Sequence, residues 1–217
     1  MSTVHVLNQK HSIFNQFIAE IRDIEVQKDA MRFRRNLERI GEVMAYELSK
    51  GLNYGSVEIT TPLGVATEQL VDDHIVLATV LRAGLPMHNG FLNLFDRAGN
   101  AFVSAFRKSH DGGDIEVEVE YISTPNLDGK VLIIVDPMLA TGKSLLLAYK
   151  ALLTRGTPVR THVAAAIGSR AGLKYLQENM PSDTQFWLGA LDKELNTLSY
   201  IVPGLGDAGD LAYGEKE

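Results

Sequence analysis

The chain has 217 residues, 45% hydrophobic and 22% charged, so it can bury a sizeable core and is not disordered as a whole. With 21 Lys and Arg against 27 Asp and Glu, the formal net charge is −6, which argues against a surface built to trap nucleic acid. The lack of cysteine excludes disulfides and a thiolate nucleophile and is typical of a cytoplasmic protein. Because no signal core or membrane-length apolar run occurs, we expect no membrane partner.

Two amphipathic helices are predicted at the start of the chain, over about residues 13–50, because apolar residues recur there every three or four positions. After Gly51, short β-rich runs alternate with helical stretches. This order predicts an α/β fold with a mostly parallel central sheet flanked by helices, forming a single domain over residues 1–217. The predicted strands span 57–61, 74–81, 101–106, 131–135, 162–167 and 185–191, and the predicted helices span 85–95, 144–154 and 171–179.

One further segment alternates strictly between apolar residues and glutamates. Ile115, Val117, Val119 and Tyr121 are separated by glutamates and follow a turn-forming run, His110 to Asp114. The pattern favours two interpretations equally. One is a hairpin arm over about residues 108–124 that projects as a hood above an active site, and the other is an ordinary amphipathic edge strand.

The stretch that is most informative about chemistry begins at Asp136. An apolar strand runs into a loop of small residues, and a helical pattern follows from Ser144. Ligands of α/β sheets bind at the carboxyl ends of strands, and helix N-termini attract phosphate. Thr141, Gly142 and Ser144 suit a phosphate loop, because glycine allows close approach and hydroxyl groups donate to phosphate oxygens. At the strand end, Asp136 is placed to hold a ribose hydroxyl or a cation.

The Gly142-Lys143-Ser144 triplet also invites comparison with the P-loop of nucleotide hydrolases. That motif requires a glycine five residues before Gly142, where this chain has Pro137. Proline has a fixed φ and no N–H to donate to a phosphate. The P-loop interpretation is therefore disfavoured.

The segment from Asp136 to Gly142 resembles the phosphoribosyl diphosphate (PRPP) loop of type I phosphoribosyltransferases, in the one-acid variant of the uracil phosphoribosyltransferase family. Other segments agree in order and spacing: Leu81 to Leu85 resembles the loop that cups the diphosphate, and Arg107 takes the place of a second diphosphate-binding arginine. Residues 198–214, with two Gly-Asp pairs, resemble the base-binding tail. The resemblance runs from about residue 10 to the C-terminus. Lys143 departs from it, because the family has a glycine there.

This resemblance implies roles for particular residues. Arg82, Arg107 and Asp207 would be catalytic, and Ile201, Gly206, Asp207 and Ala208 would bind uracil. The residues implied to bind PRPP are Arg82, Arg107, Asp136, Pro137, Met138, Leu139, Ala140, Thr141, Gly142, Lys143, Ser144 and Asp207. From the residues alone, the simpler interpretation of Arg82 and Arg107 is that they are solvated arginines, and Asp207 and Asp210 are compatible with ordinary turn residues.

The implied reaction is transfer of the 5-phosphoribosyl group from PRPP to uracil, giving UMP and diphosphate. The resemblance further implies Mg²⁺ carried by PRPP, with no metal held by the protein, a homodimer or higher homo-oligomer, and GTP as a candidate activator. The six histidines show no metal-ligand spacing. Two rivals stay open: a phosphoribosyltransferase for another base, and a non-catalytic regulator of the same fold that binds PRPP, a nucleotide or RNA.

Overall fold

The structure is a computed structural model that describes residues 2–109 and 115–215, with the backbone alone for 105–109 and 115–120. Its strands, in chain order, are β1 (Thr3–Val6), β2 (Tyr54–Thr61), β3 (Gly64–Val71), β4 (Ile75–Leu81), β5 (Gly99–Ser109), β6 (Ile115–Ser123), β7 (Val131–Leu139), β8 (Arg160–Ser169), β9 (Gln185–Asp192), β10 (Glu194–Leu195) and β11 (Ile201–Val202). Its α-helices are α1 (Phe14–Arg22), α2 (Ala30–Ser49), α3 (Leu85–Leu94), α4 (Lys143–Leu152), α5 (Arg170–Asn179) and α6 (Ala208–Tyr213), and single 3₁₀ turns span Leu7–Gln9, Val26–Lys28 and Leu153–Arg155.

Seven strands form the central sheet, in the order β1-β9-β8-β7-β4-β5-β6. Neighbours run parallel except β5 and β6, which are antiparallel. The mostly parallel α/β sheet expected from the sequence is therefore confirmed. Strand β1 was not predicted, because it has only four residues and the strand with which it pairs, β9, lies far along the chain.

Helices cover both faces of this sheet, and the strand residues alternate between them. Ile133 and Val135 pack in the core beneath α1, α2 and α3, whereas Leu132 and Ile134 pack in the core beneath α4 and α5. Such near-continuous apolar strands are typical of a parallel sheet buried on both faces. No helix among the described residues is both long and apolar enough to span a bilayer.

The β2–β3 hairpin differs from the expectation for residues 57–61. These residues do form a strand, but it pairs with β3 alone in a separate two-stranded sheet and does not join the central one. Both strands are exposed along most of their length. A two-residue turn, Pro62-Leu63, joins the two strands. The backbone N–H and C=O groups of β2 and β3 therefore bond to each other and not to the central sheet.

The segment with the alternating glutamates forms β6, the edge strand of the central sheet, which pairs with β5. Residues 99–104 of β5 pair with β4, while residues 105–109 continue beyond β4 and pair with β6 alone. The register between β5 and β6 shifts at Ser104 and Ala105, which marks a β-bulge where the pair leaves the sheet. Residues 110–114 of the expected arm lie outside the described residues.

The chain changes direction at the border between β4 and β7. From β4 the chain crosses through α3 to β5 on one side, and from β7 it crosses through α4 to β8 on the other. Because α3 and α4 pack on opposite faces, the carboxyl ends of β4 and β7 diverge. Such a topological switch point is where open α/β sheets bind their ligands.

Candidate active site

A cavity of about 590 Å³ lies at this switch point. Six of the residues predicted to bind PRPP line it together: Arg82 after β4, Asp136 and Met138 in β7, Ala140 in the following loop, Ser144 in α4 and Asp207 before α6. Its remaining lining residues are Val80, Leu81, Ala83, Ser104, Leu198, Ser199 and Tyr200. The fold thus brings together residues up to 125 positions apart in the sequence.

A larger hollow, of about 740 Å³, lies at the opposite end of the sheet. It is lined by the base of the β2–β3 hairpin, the end of α3 and Lys130, which precedes β7. None of the residues predicted to bind PRPP or uracil lines it. We assign the chemistry to the smaller cavity, because ligands of parallel sheets bind at the carboxyl ends of the strands.

Strand β7 is longer than the prediction of 131–135. It continues to Leu139, and its register with β8 passes from Asp136 and Ala165 to Met138 and Ile167. The pairing omits Pro137, which has no N–H for a ladder, and pairing with β4 ends at Val135. Residues 136–139 therefore form the wall of the cleft, and the loop is shorter than expected, at residues 140–142.

The carboxyl group of Asp136 lies on this wall and is half-buried. It accepts a hydrogen bond from the Met138 N–H at 3.0 Å. Desolvation raises the pKa of Asp136 to about 6, and the Met138 bond offsets only part of that effect. A carboxylate that is costly to ionise beside a cavity is typical of a functional site.

The loop that follows has a close-packed backbone. Gly142 is the N-cap of α4 with a φ of 77°, in the left-handed region that favours glycine, and a Cβ there would lie 2.9 Å from the Gly172 carbonyl oxygen. A Cβ on Gly172 would in turn lie 2.2 Å from the Ala140 carbonyl oxygen. A hollow of about 80 Å³ adjoins the loop and is lined by residues 136, 138–142, 144 and 145.

Sequence reasoning missed the residue that ties this loop to α5. The Ser169 hydroxyl donates to the Ala140 carbonyl oxygen at 2.5 Å and accepts from the Gly172 N–H at 2.9 Å. Ser169 is thus the N-cap of α5 and also an anchor for the loop. A serine two residues before a predicted helix was the only available signal.

The guanidinium of Arg82 is held by the C-terminal tail. Its Nη2 donates to Asp210 Oδ1 at 3.1 Å and to the Gly214 carbonyl oxygen. Its Nε is buried and has no hydrogen-bond partner among the described residues. The second Gly-Asp pair of the tail therefore does more than form a turn, since Asp210 fixes Arg82 at the edge of the cavity.

Of the four expected uracil-binding residues, Asp207 lines the cavity, whereas Ile201, Gly206 and Ala208 do not. Asp207 lines it and caps α6, accepting from the N–H groups of Gly209 at 2.8 Å and Asp210 at 3.1 Å. The side chains of Ile201 and Ala208 are buried in the core, so these residues can offer only main-chain groups to a ligand. Gly206 has a φ of 94° and is not among the lining residues.

The other predicted residues occupy varied positions. Pro137 and Leu139 are buried in β7 with their backbone at the wall, and Thr141 lines the small hollow. The Lys143 side chain is exposed and lines neither cavity of this site. Arg107 pairs with Val117 through its backbone, and its side chain lies outside the described part of the structure.

Comparison with known proteins identifies the family. The family model described as uracil phosphoribosyltransferase matches residues 8–215. A uracil phosphoribosyltransferase from Porphyromonas gingivalis is 54% identical over 216 residues, which cover 100% of both chains. The chain belongs to the uracil phosphoribosyltransferase family. It is thus a pentosyltransferase that moves the 5-phosphoribosyl group from PRPP to uracil, giving UMP and diphosphate, as the resemblance implied.

Solved structures agree with the fold of this family. The AQ2163 protein from Aquifex aeolicus superposes with a TM-score of 0.87 at 30% identity, covering 98% of each chain. The orotate phosphoribosyltransferase of Mycobacterium tuberculosis, solved in complex with PRPP, superposes with a TM-score of 0.50 at 13% identity, covering 86% of this chain and 95% of that one. The second likeness shows the phosphoribosyltransferase fold alone.

Proposed function

We propose that PRPP and uracil bind together in the 590 Å³ cavity at the switch point between β4 and β7. The observation that carries this proposal is the convergence of Arg82, Asp136, Ser144 and Asp207 on one cavity. Each of the four suits a different part of the substrates.

The 5-phosphate is assigned to the loop at residues 140–144. The first N–H groups of a helix have no partner within the helix, and the helix dipole adds a partial positive charge there. The Ser144 hydroxyl lines both the main cavity and the small hollow beside the loop. Gly142 and Gly172 let the backbone approach closely, so phosphate oxygens are met by N–H groups.

Titration calorimetry with PRPP and Mg²⁺ tests this assignment. Ser144→Ala is expected to weaken PRPP binding by about 10-fold, because a hydrogen bond to a charged group is lost. Ser49→Ala is the matched control, since Ser49 lines the larger hollow at the other end of the sheet. Equal affinities for the two variants would contradict the assignment of the phosphate to this loop.

Asp136 and Arg82 are assigned to the ribose and the diphosphate. The Asp136 carboxylate accepts hydrogen bonds from ribose hydroxyls, and the Arg82 guanidinium, already oriented by Asp210, donates to diphosphate oxygens. Arg107 is proposed as a second diphosphate-binding arginine from the arm. The carboxylates of Asp136 and Asp207 both line the cavity, and oxygen donors of this kind suit Mg²⁺ that arrives with PRPP.

Catalysis in this cavity relies on positioning and charge. The bond between ribose C1 and the diphosphate oxygen breaks, and a bond from uracil N1 to C1 forms as the N1 proton leaves. Positive charge develops on the ribose, and the carboxylates of Asp136 and Asp207, which line the same cavity, are proposed to stabilise it. Mg²⁺, when bound with PRPP, neutralises charge on the diphosphate.

Uracil is assigned to the tail, where main-chain groups of Ile201 and residues 206–208 read the edge of the pyrimidine. The buried side chains of Ile201 and Ala208 fix the backbone without contacting the base themselves. Donors and acceptors in fixed positions reject bases that leave them unpaired. Leu198, Ser199 and Tyr200 complete this side of the cavity.

The extension of β5 and β6 beyond β4 is proposed as a hood over the cavity. Closing the site excludes water, which would otherwise capture the electron-poor ribose. Deletion of residues 111–120 is expected to leave a folded protein, because the pairing of β5 with β4 spans residues 99–104 and ends before the arm begins. The variant should show weak transfer and a larger share of PRPP hydrolysis, measured as ribose 5-phosphate released per UMP. Unchanged turnover would exclude a hood.

The exposed hairpin supports a proposal of a homo-oligomer formed by this single-domain chain. Leu63, Val65, Leu70 and Val71 are each at least 39% exposed, on a two-stranded sheet of the kind that is marginally stable alone. A second copy of the chain is the proposed occupant, because burial of this surface would stabilise the hairpin in both copies. Light scattering is expected to show Leu63→Asp/Val65→Asp as a smaller species than the parent chain. Val159→Asp, an exposed apolar control outside the hairpin, should leave the mass unchanged, and equal masses for all three would contradict the proposal.

Two further expectations belong to the same proposal. The cytoplasm is the proposed location, because the charged substrate PRPP does not cross a bilayer. GTP is the proposed candidate activator, and no residues are assigned to it. Transfer rates measured with and without GTP decide that part separately from the assignment of the substrates.

A further inference from the structure

Beside the tail, a part-buried ion pair joins the first helix to the last long strand. Arg22, the final residue of α1, donates from Nη1 and Nη2 to the two carboxylate oxygens of Asp192, each at 2.8 Å. Asp192 is the final residue of β9, and its side chain is only 9% exposed. This two-bond geometry fixes the relative orientation of the guanidinium and the carboxylate.

Both members of the pair also bind the same tail residue. The Gly204 N–H donates to Asp192 Oδ2 at 2.9 Å, and Arg22 Nη1 donates to the Gly204 carbonyl oxygen at 3.0 Å. Gly204 lies between β11 and α6, where no ladder of backbone hydrogen bonds holds the chain. The Arg22–Asp192 ion pair thus holds the backbone at Gly204, where no strand pairing does so.

The position of Gly204 affects the neighbouring tail residues that are assigned to uracil. Its φ is 58°, and a Cβ on it would lie 2.1 Å from the Ile201 carbonyl oxygen, so the two backbones are in direct contact. Three residues further along, Asp207 lines the cavity. A shift of Gly204 would therefore move Ile201 on one side and Asp207 on the other.

We infer that Arg22 and Asp192 are positioning residues that set the uracil-reading backbone of the tail. This inference rests on the proposed assignment of uracil to residues 201 and 206–208. A buried ion pair is by itself weak support for a stabilising role, since desolvation offsets much of its attraction. Its paired contacts with both backbone groups of Gly204 give it a specific task.

The chain contains a matched control pair. Arg160 and Asp73 also form a part-buried ion pair, with 10% exposure for the Asp73 side chain, and Asp73 accepts from the Asn53 N–H at 2.7 Å. This pair lies at the amino end of the sheet, beside the larger hollow and away from the tail. Asp192→Asn and Asp73→Asn therefore remove the same charge from similar surroundings.

Steady-state kinetics of both variants test the inference. Asp192→Asn is expected to raise KM for uracil by about 10-fold, as loss of a charged hydrogen bond allows, and to leave KM for PRPP within about twofold. Asp73→Asn is expected to change neither KM, even where its melting temperature falls as far. Equal rises of both KM values in Asp192→Asn, or a uracil KM like that of Asp73→Asn, would overturn the inference.

Hydrogen exchange of the substrate-free protein separates this inference from the proposed uracil site. Peptides covering residues 194–208 should exchange about 10-fold faster in Asp192→Asn than in the parent chain, and at the parent rate in Asp73→Asn. Unchanged exchange in Asp192→Asn would overturn the positioning role. Faster exchange with an unchanged uracil KM would show that Asp192 positions the tail but that the tail does not bind uracil. That outcome would overturn the proposed uracil site and, with it, the inferred effect of the ion pair on uracil binding.

Discussion

Asp136→Asn is expected to lower kcat/KM by roughly 10- to 100-fold and to raise the free energy of unfolding above pH 6. The loss of activity follows from the lost hydrogen bonds between a carboxylate and the ribose, each contributing about 1.5–3 kcal/mol. The gain in stability follows from the pKa of Asp136, which desolvation raises from 3.8 to about 6 in the folded chain. A carboxyl group with a raised folded pKa supports the folded state below the unfolded pKa, and this contribution is lost as the pH rises through 6.

The pH dependence gives this prediction its sign. At pH 8 the parent chain carries an ionised, half-buried Asp136, and asparagine removes that cost, stabilising the fold by about 1–2 kcal/mol after allowance for solvent screening. The difference shrinks as the pH falls towards the unfolded pKa, because the folded parent chain is then neutral at this position. Urea unfolding at pH 4, 6 and 8 measures it. A gain of equal size at pH 4 and pH 8 would contradict the raised pKa as its cause.

Asp128→Asn is a control of opposite sign. Asp128 accepts from the Thr157 N–H at 2.7 Å, and this bond lowers the pKa of its carboxyl group. Above the unfolded pKa of aspartate, the asparagine variant should therefore be less stable than the parent chain, whereas Asp136→Asn is more stable. Because Asp128 precedes β7 at the amino end of the sheet, kcat/KM should remain at the parent value.

Arg82→Ala is expected to lower kcat/KM by about 10² to 10³-fold, the effect of removing one donor from developing charge in a closed site. The guanidinium is oriented by Asp210 and Gly214, and within the described part of the chain no other group accepts from it, so its remaining donors are proposed to bind the diphosphate. Arg82→Lys should recover only part of the activity, because one ammonium group replaces the planar fork. Both are measured as UMP formation at varied PRPP.

Asp210→Asn separates the orientation of Arg82 from its charge. This variant keeps the arginine and weakens the bond that holds it, so it should fall between the parent chain and Arg82→Ala. An Asp210→Asn variant as slow as Arg82→Ala would show that orientation accounts for the whole effect. Parent-like activity of Arg82→Ala would contradict a role of Arg82 in binding the diphosphate.

The sequence predicts most of the sheet because its strands are apolar on both faces. Residues 131–135 read as a buried strand without any partner in view, and the structure places them at its centre. The extension of β7 to Leu139 was not predictable, because Pro137 normally argues against a strand and is tolerated only where the pairing with β8 omits it. Whether β7 continues past Pro137 depends on its register with β8, and the local sequence does not show that register.

The candidate site divides in the same way. The loop at Gly142 and the acid at Asp136 were predictable, because small residues between a strand and a helix have few other uses. The partners that hold the site were not. Asp192 lies 170 residues from Arg22, and only the packing of α1 on the sheet brings the two together. The function was thus readable from local motifs, while the devices that position the motifs became visible only in the folded chain.

Conversion of radiolabelled uracil to UMP in the presence of PRPP and Mg²⁺ tests the central claim most directly. Cytosine, hypoxanthine and orotate are run beside it as competing bases. We expect UMP from uracil, with the other three bases neither converted at a comparable rate nor able to compete. A failure to form UMP, or faster conversion of another base, would contradict the assignment of this cavity to uracil and PRPP.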